Sequence, residues 1–166
     1  MSDLALDSRV VFLGQAVRCP GTAMFTTLED VPMDQRIELP VAEEMQMGMA
    51  TGLAMSGYIP VCVFPRLNFL LLAINQLVNH LDKMQAMSSY QTRVIIRTSV
   101  GSERPLHPGS QHVGNFCAAL RLLCSNIWVK DLKEADQIYP SYVRALEHPS
   151  GHSTILIEHG DYYGEK

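Results

Sequence analysis

The sequence predicts an α/β fold: a three-layer α/β/α sandwich around a mainly parallel sheet. Three observations carry that reading. Short apolar runs rich in β-branched residues alternate with longer stretches of helical periodicity, an order that right-handed crossovers wind into a parallel sheet wrapped by helices. The chain has 166 residues, 47% hydrophobic and 18% charged, enough apolar material for one domain with a real core and no polar tract to serve as a linker. A long loop rich in Gly, Pro, Ser and His follows one of the strand runs, and open α/β sheets keep their chemistry at the carboxyl ends of strands.

Taken in order, the strands fall at 10–14, 36–39, 58–64, 93–98, 127–130 and 154–158. Pro20 and Gly21 interrupt the first connection and leave only 22–28 for a helix there. Helices are expected over 43–56, 68–87, 114–124 and 133–147, with loops at 99–113 and 148–153. The 68–87 segment reads as a core helix with a polar stripe at Asn75, Asn79 and Asp82. A single domain over 1–166 is the expectation, with no internal repeat.

Composition excludes several classes of partner. Lys and Arg total 13 against 17 Asp and Glu, and a net charge of −4 offers no basic footprint for nucleic acid or an anionic membrane. The longest apolar run, 69–74, is far shorter than the roughly 18 residues a spanning helix needs. Asp3, Asp7 and Arg9 break any leader-like run, so a cytoplasmic location is expected. Cys19, Cys62, Cys117 and Cys124 lack CxxC spacing and read as reduced thiols. No GxSxG, GxxxxGK[ST] or GxGxxG motif occurs.

Two places carry candidate chemistry. Glu43 and Glu44 open the 43–56 helix, where a carboxylate interacts favourably with the helix dipole by about 0.3–1 kcal/mol. Apolar residues on nearly every side of this helix, with Gly48, Gly52 and Gly57 behind, suggest burial all round and close backbone approach. A partly desolvated carboxylate there suits proton exchange or the grip of a ligand nitrogen. A buried ion pair with Arg36 or Arg97 is the structural alternative, and the residues alone leave both open. His107 and His112 lie in the 99–113 loop without a third ligand, so a single acid–base histidine is expected there in preference to a metal site.

Together these segments resemble the pyrimidine-binding domain of thiamine diphosphate enzymes, most closely the N-terminal half of the β subunit of 2-oxo acid dehydrogenases. LPVAE ends at Glu43, and Gly48, Gly52 and Gly57 follow it by five, nine and fourteen residues, the spacing of that family. The likeness runs on through FPRLNFLLLAINQLVNHLDKM, VIIRTSVG, GSQHVGNFCAAL and ILIEHGDYYG, covering nearly the whole chain.

The resemblance implies that Glu43 hydrogen-bonds the aminopyrimidine ring and helps remove the thiazolium proton, and that His112 faces substrate. It further implies that Phe69, Pro65 and Leu67 line the pyrimidine site. Arg66 and His107 are candidate substrate contacts. The family's C-terminal domain and its diphosphate-binding domain, with the GDG motif and Mg²⁺, have no counterpart here. The implied partner is therefore an α-like subunit supplying them, in an α2β2 assembly. The family's helix ahead of the first strand is also expected to be missing. The implied activity is decarboxylation, dehydrogenation or acyl transfer from a 2-oxo acid, with ketol transfer or a noncatalytic interaction role as alternatives.

Overall fold

The computed structural model describes residues 1–101 and 107–164. Six strands, β1 (Val10–Gly14), β2 (Arg36–Glu38), β3 (Ile59–Phe64), β4 (Ile95–Val100), β5 (Trp128–Leu132) and β6 (Thr154–His159), form one sheet. Their order is β2-β1-β3-β4-β6-β5, and every neighbouring pair is parallel. The three-layer sandwich expected from the alternation is therefore present.

Parallel strands need crossovers, and the helices that make them cover both faces. On one face lie α3 (Glu43–Met55), a helical run over 67–87 and α6 (Cys117–Leu123). On the other lie α1 (Ser2–Ala5), α2 (Ala23–Thr26) and α7 (Ile138–Glu147). The strands' two-residue period divides their side chains accordingly: Cys62, Phe64, Ile96 and Ile155 enter the first core, and Val61, Val63, Ile95 and Leu156 the second. The central β3 and β4 are buried at all six of their positions.

The structure corrects several sequence-based expectations. A one-turn helix, α1, does precede β1, and its Leu4 enters the second core. The 67–87 run is not one α-helix. It begins as α4 (Leu67–Leu70), tightens over Leu71–Ala73, widens into a π turn over Gln76–Leu81 and ends as α5 (Met84–Met87). The wide turn, closed by Asp82 N–H to Leu77 C=O at 2.9 Å, turns the Asp82 carboxylate inward. There it accepts the backbone N–H groups of Asn126 at 2.7 Å and Ile127 at 3.1 Å, at the entry to β5. Asp82 is thus buried, while Asn75 and Asn79 stay exposed and bond each other.

The 114–124 helix starts late, at Cys117, after a turn in which the Asn115 side chain accepts the Cys117 N–H at 2.9 Å. The 133–147 helix likewise begins only at Ile138, after a tight turn over Ala135–Gln137. Part of the expected 99–113 loop, residues 102–106, lies outside the described residues, and its first two residues extend β4. No helix among the described residues is long and apolar enough to cross a membrane.

Candidate functional site

The strand order reverses at β1. The chain leaves β1 for β2 on one side and returns from β2 to β3 on the other, so the carboxyl ends of β1 and β3 flank a topological switch point. Open parallel sheets bind ligands in the crevice at such a point. Gly14, the last residue of β1, pairs with Val63 and has φ +146°. A Cβ there would stand 2.2 Å from the Val63 carbonyl oxygen, so only glycine lets the two strand ends close up.

The turn beyond Gly14 is fixed by a carboxylate. Ala16 has φ 58°, a strained value for a residue with a side chain. The Glu38 carboxylate accepts the backbone N–H groups of Ala16 and Val17 at 2.8 Å and of Arg18 at 2.6 Å, which offsets the strain. Gln15, held in this turn, donates Nε2 to Glu43 Oε1 at 3.2 Å.

Glu43 itself is buried at 5% exposure in the first turn of α3. Among the described residues no Lys, Arg or His pairs with it, so the ion-pair alternative fails. Arg36 spends its guanidinium on the carbonyls of Val31, Glu29 and Val17. Arg97 is committed to Glu158 on the opposite face of the sheet, at 2.9–3.0 Å. Glu44 points elsewhere: it is exposed and accepts from Asn75 at 3.3 Å and Gln76 at 3.4 Å.

Behind Glu43, Gln46 fastens α3 to β3 by donating to the Val63 carbonyl at 2.8 Å and to Cys62 Sγ at 3.4 Å. Burial pushes the Cys62 thiol up to about 12, so it is an inert packing group. Cys117 and Cys124 are buried and free as well, and Cys19 is free and exposed.

α4 brings a half-buried Phe69 into ring contact with His112, with centroids 5.3 Å apart and planes tilted by 54°. Among the described residues, His112 Nδ1 is buried without a hydrogen-bond partner, as are Asn68 Oδ1 beside Phe69 and Gln46 Oε1 behind Glu43. Unpaired buried polar atoms are uncommon, and three of them on the elements around one crevice fit a ligand that would satisfy some.

The remaining candidates separate. Pro65 is half-buried and its carbonyl accepts from Ser99 Oγ at 2.7 Å. Leu67 has no exposed surface and supports α4 from within the core instead of facing the crevice. Arg66 reaches the Gly101 carbonyl at 3.4 Å. His107 is exposed and accepts the Gly109 N–H at 3.1 Å, with no ring contact of the kind that joins Phe69 to His112.

Gln15 and the Glu38 cradle went unread in the sequence. The signal available was Gly14 closing β1, since the residue after a strand-ending glycine sits at the mouth of the sheet. Two cavities of about 560 and 600 Å³ lie against α7 and include none of these residues.

The fold is a parallel α/β domain covered on both faces, with a buried carboxylate, Glu43, hydrogen-bonded by Gln15. More particularly, residues 3–165 match the model of the transketolase pyrimidine-binding domain, and the chain belongs to that family.

Among curated proteins, the chain is 35% identical over 111 residues to the pyruvate dehydrogenase E1 component subunit beta of Gracilaria tenuistipitata var. liui, covering 64% of this chain and 34% of that one. It is 33% identical over 110 residues to the same subunit of Cyanidium caldarium, covering 63% and 33%. The chain thus spans about a third of the length of these relatives. In fold it is similar to a split-gene transketolase solved as an inactive β4 tetramer (TM-score 0.72, 17% identity, 96% of this chain and 49% of that one). It is also similar to a thiamin diphosphate-dependent enzyme from Mycobacterium smegmatis (TM-score 0.63, 16% identity, 94% and 29%).

Proposed function

We propose that the chain is the β-like subunit of a split thiamine diphosphate enzyme acting on a 2-oxo acid, and that it supplies the pyrimidine half of the site. The observation that carries this reading is Glu43: a buried carboxylate with no cation beside it among the described residues, at the switch point, oriented by one side-chain amide. Two dehydrogenase β subunits among the relatives favour a 2-oxo acid over a ketose phosphate as substrate.

When bound, the cofactor supplies a thiazolium carbon that becomes nucleophilic on losing its proton. The protein's own task is placement. Glu43 would hold a proton at its carboxylate against a pyrimidine nitrogen, where a low surrounding dielectric strengthens the contact. Gln15 fixes which carboxylate oxygen is offered. Phe69 offers a flat apolar face to the pyrimidine ring, with Pro65 at the edge, an interaction of about 0.5–1.5 kcal/mol by analogy with aromatic pairs. His112, whose Nδ1 has no partner among the described residues, would move a proton to or from the substrate oxygen.

The diphosphate and Mg²⁺ would be held by an α-like partner carrying the GDG motif; the GDY at 160–162 is not that motif. A half-site completed by another chain, in an α2β2 assembly, is the arrangement this reading implies. The test is reconstitution with the gene-neighbour chain bearing GDG, assayed with thiamine diphosphate and Mg²⁺ on 2-oxo acids and, separately, on ketose phosphates. Glu43→Gln should eliminate turnover while sedimentation shows the pair intact. A Glu43→Gln pair with undiminished turnover would sink the cofactor assignment, and activity confined to ketose phosphates would replace the substrate class.

A further inference from the structure

A second constellation stands at the carboxyl ends of β5 and β6. His159, the last residue of β6, lies opposite Val100 of β4, and its Nε2 meets Asp131 Oδ1 of β5 at 2.7 Å. The other carboxylate oxygen, Asp131 Oδ2, accepts Asn115 Nδ2 at 3.2 Å. Asn115 in turn accepts the N–H of Cys117, the first residue of α6, through its own oxygen, and stands three residues after His112. The carboxylate of Asp131 is only 9% exposed and His159 is 29% exposed, so water competes weakly for the central contact.

We propose that Asp131 and His159 are positioning residues that hold the end of the His112 loop, so that His112 keeps its seat against Phe69. The proposal rests on the reading of His112 as part of the reaction site.

The chemistry explains why an aspartate is used. One carboxylate accepts at both oxygens, from a strand-end histidine on one side and from a loop amide on the other, and so ties β6 to the loop through β5. An asparagine in its place would keep one acceptor and turn an NH₂ toward a donor. Around the joint, the His159 ring lies 6.4 Å from that of Tyr162, and the Tyr162 hydroxyl donates to the Lys133 carbonyl at 2.5 Å. Arg121, in the last turn of α6, donates to the Val129 carbonyl of β5 at 3.1 Å, so β5 is fastened both to the far end of α6 and, through Asp131, to Asn115 ahead of its start. The seat of His112 is then set by residues that never meet substrate. A ring displaced by about 1 Å can lower a rate as much as a hundredfold.

The direct readout needs neither cofactor nor partner: the nuclear Overhauser cross-peak between the Phe69 and His112 rings in the full chain. It should be present in the native protein and in His159→Gln, which keeps an N–H donor toward Asp131. It should be lost in Asp131→Asn and in His159→Phe, which fills the ring's volume without a donor. A cross-peak of native intensity in His159→Phe, or its absence from the native protein, overturns the proposal, and His159→Phe serves alone if Asp131→Asn does not fold.

In the reconstituted pair, Asp131→Asn should lower kcat roughly ten- to hundredfold and leave the dissociation constant of thiamine diphosphate unchanged. An unchanged kcat overturns the functional half. If instead Glu43→Gln turns over normally, the cofactor reading fails, whereas the cross-peak still reports on the latch.

Discussion

Glu43 and Glu44 are neighbours in sequence and about 100° apart around α3, and that rotation gives them different chemistry. Glu43 enters the crevice with Gln15, whereas Glu44 meets Asn75 and Gln76 at the surface. The family resemblance, through the glycine spacing counted from Glu43, is what singled out Glu43; the residues alone left the pair open. Gln15 was not legible, because its role comes from a turn that Glu38 holds 20 or more residues away in the chain.

Arg97 was legible as a candidate buried cation, but the sequence offered it to the carboxylates of Glu43 and Glu44, whereas its partner is Glu158, 61 residues away. Burial opposes both charges. Their mutual attraction, with hydroxyl donation from Tyr142 and Tyr163, overrides it, so Glu158 is held below the usual carboxylate range and Arg97 is raised. Removing one partner strands the other. Arg97→Met should destabilise the fold by about 3–5 kcal/mol in denaturant titration. Gly14→Ala, which drives a methyl group into the Val63 carbonyl, should cost about 1–3 kcal/mol or more by the same measurement.

Among the elements, α3 differs most from its sequence reading. Burial all round was expected, yet Met45, Met49 and Met55 are exposed at 46%, 38% and 39%, and a Cβ at Gly52 or Gly57 would meet nothing within 4 Å. The periodicity was uninformative because both faces of this helix are apolar, one for the core and one facing outward beside Leu71 and Leu72. On the reading offered here that outer face meets the other half of the enzyme. Gly52→Leu should leave the melting temperature of the isolated chain unchanged or raise it by a few degrees, since it improves helix propensity by about 0.5–1 kcal/mol, while weakening assembly with the partner by roughly tenfold or more in sedimentation.

The π turn was illegible too, since no local pattern marks where a helix widens by one residue. Its purpose is Asp82, whose carboxylate secures the entry to β5. Asp82→Ala should cost about 1–3 kcal/mol by leaving buried N–H groups unpaired.

At the scale of the whole molecule, the layers and the sequence of strands and helices were readable because the apolar period changes at each boundary. The order β2-β1-β3-β4-β6-β5 was not read from those periods, since strand neighbours are chosen by long-range packing. Acid sensitivity also belongs at this scale. Burial works to raise Asp82 and Glu158, but Lys83 and backbone N–H groups outweigh it at Asp82, and Arg97 does so at Glu158. With folded values depressed, both groups contribute stability that is complete above the unfolded carboxyl range. That stability is lost as pH falls through the depressed folded values, so the melting temperature should be level at neutral pH and fall below about pH 4.

The central claim, that Glu43 governs proton removal from a shared cofactor, is tested most directly by isotope exchange. In the reconstituted pair, the thiazolium proton of bound thiamine diphosphate should exchange with D₂O about 10²–10⁴-fold more slowly when Glu43 is replaced by Gln. An exchange rate equal to that of the native pair, with cofactor bound in both, would contradict the account.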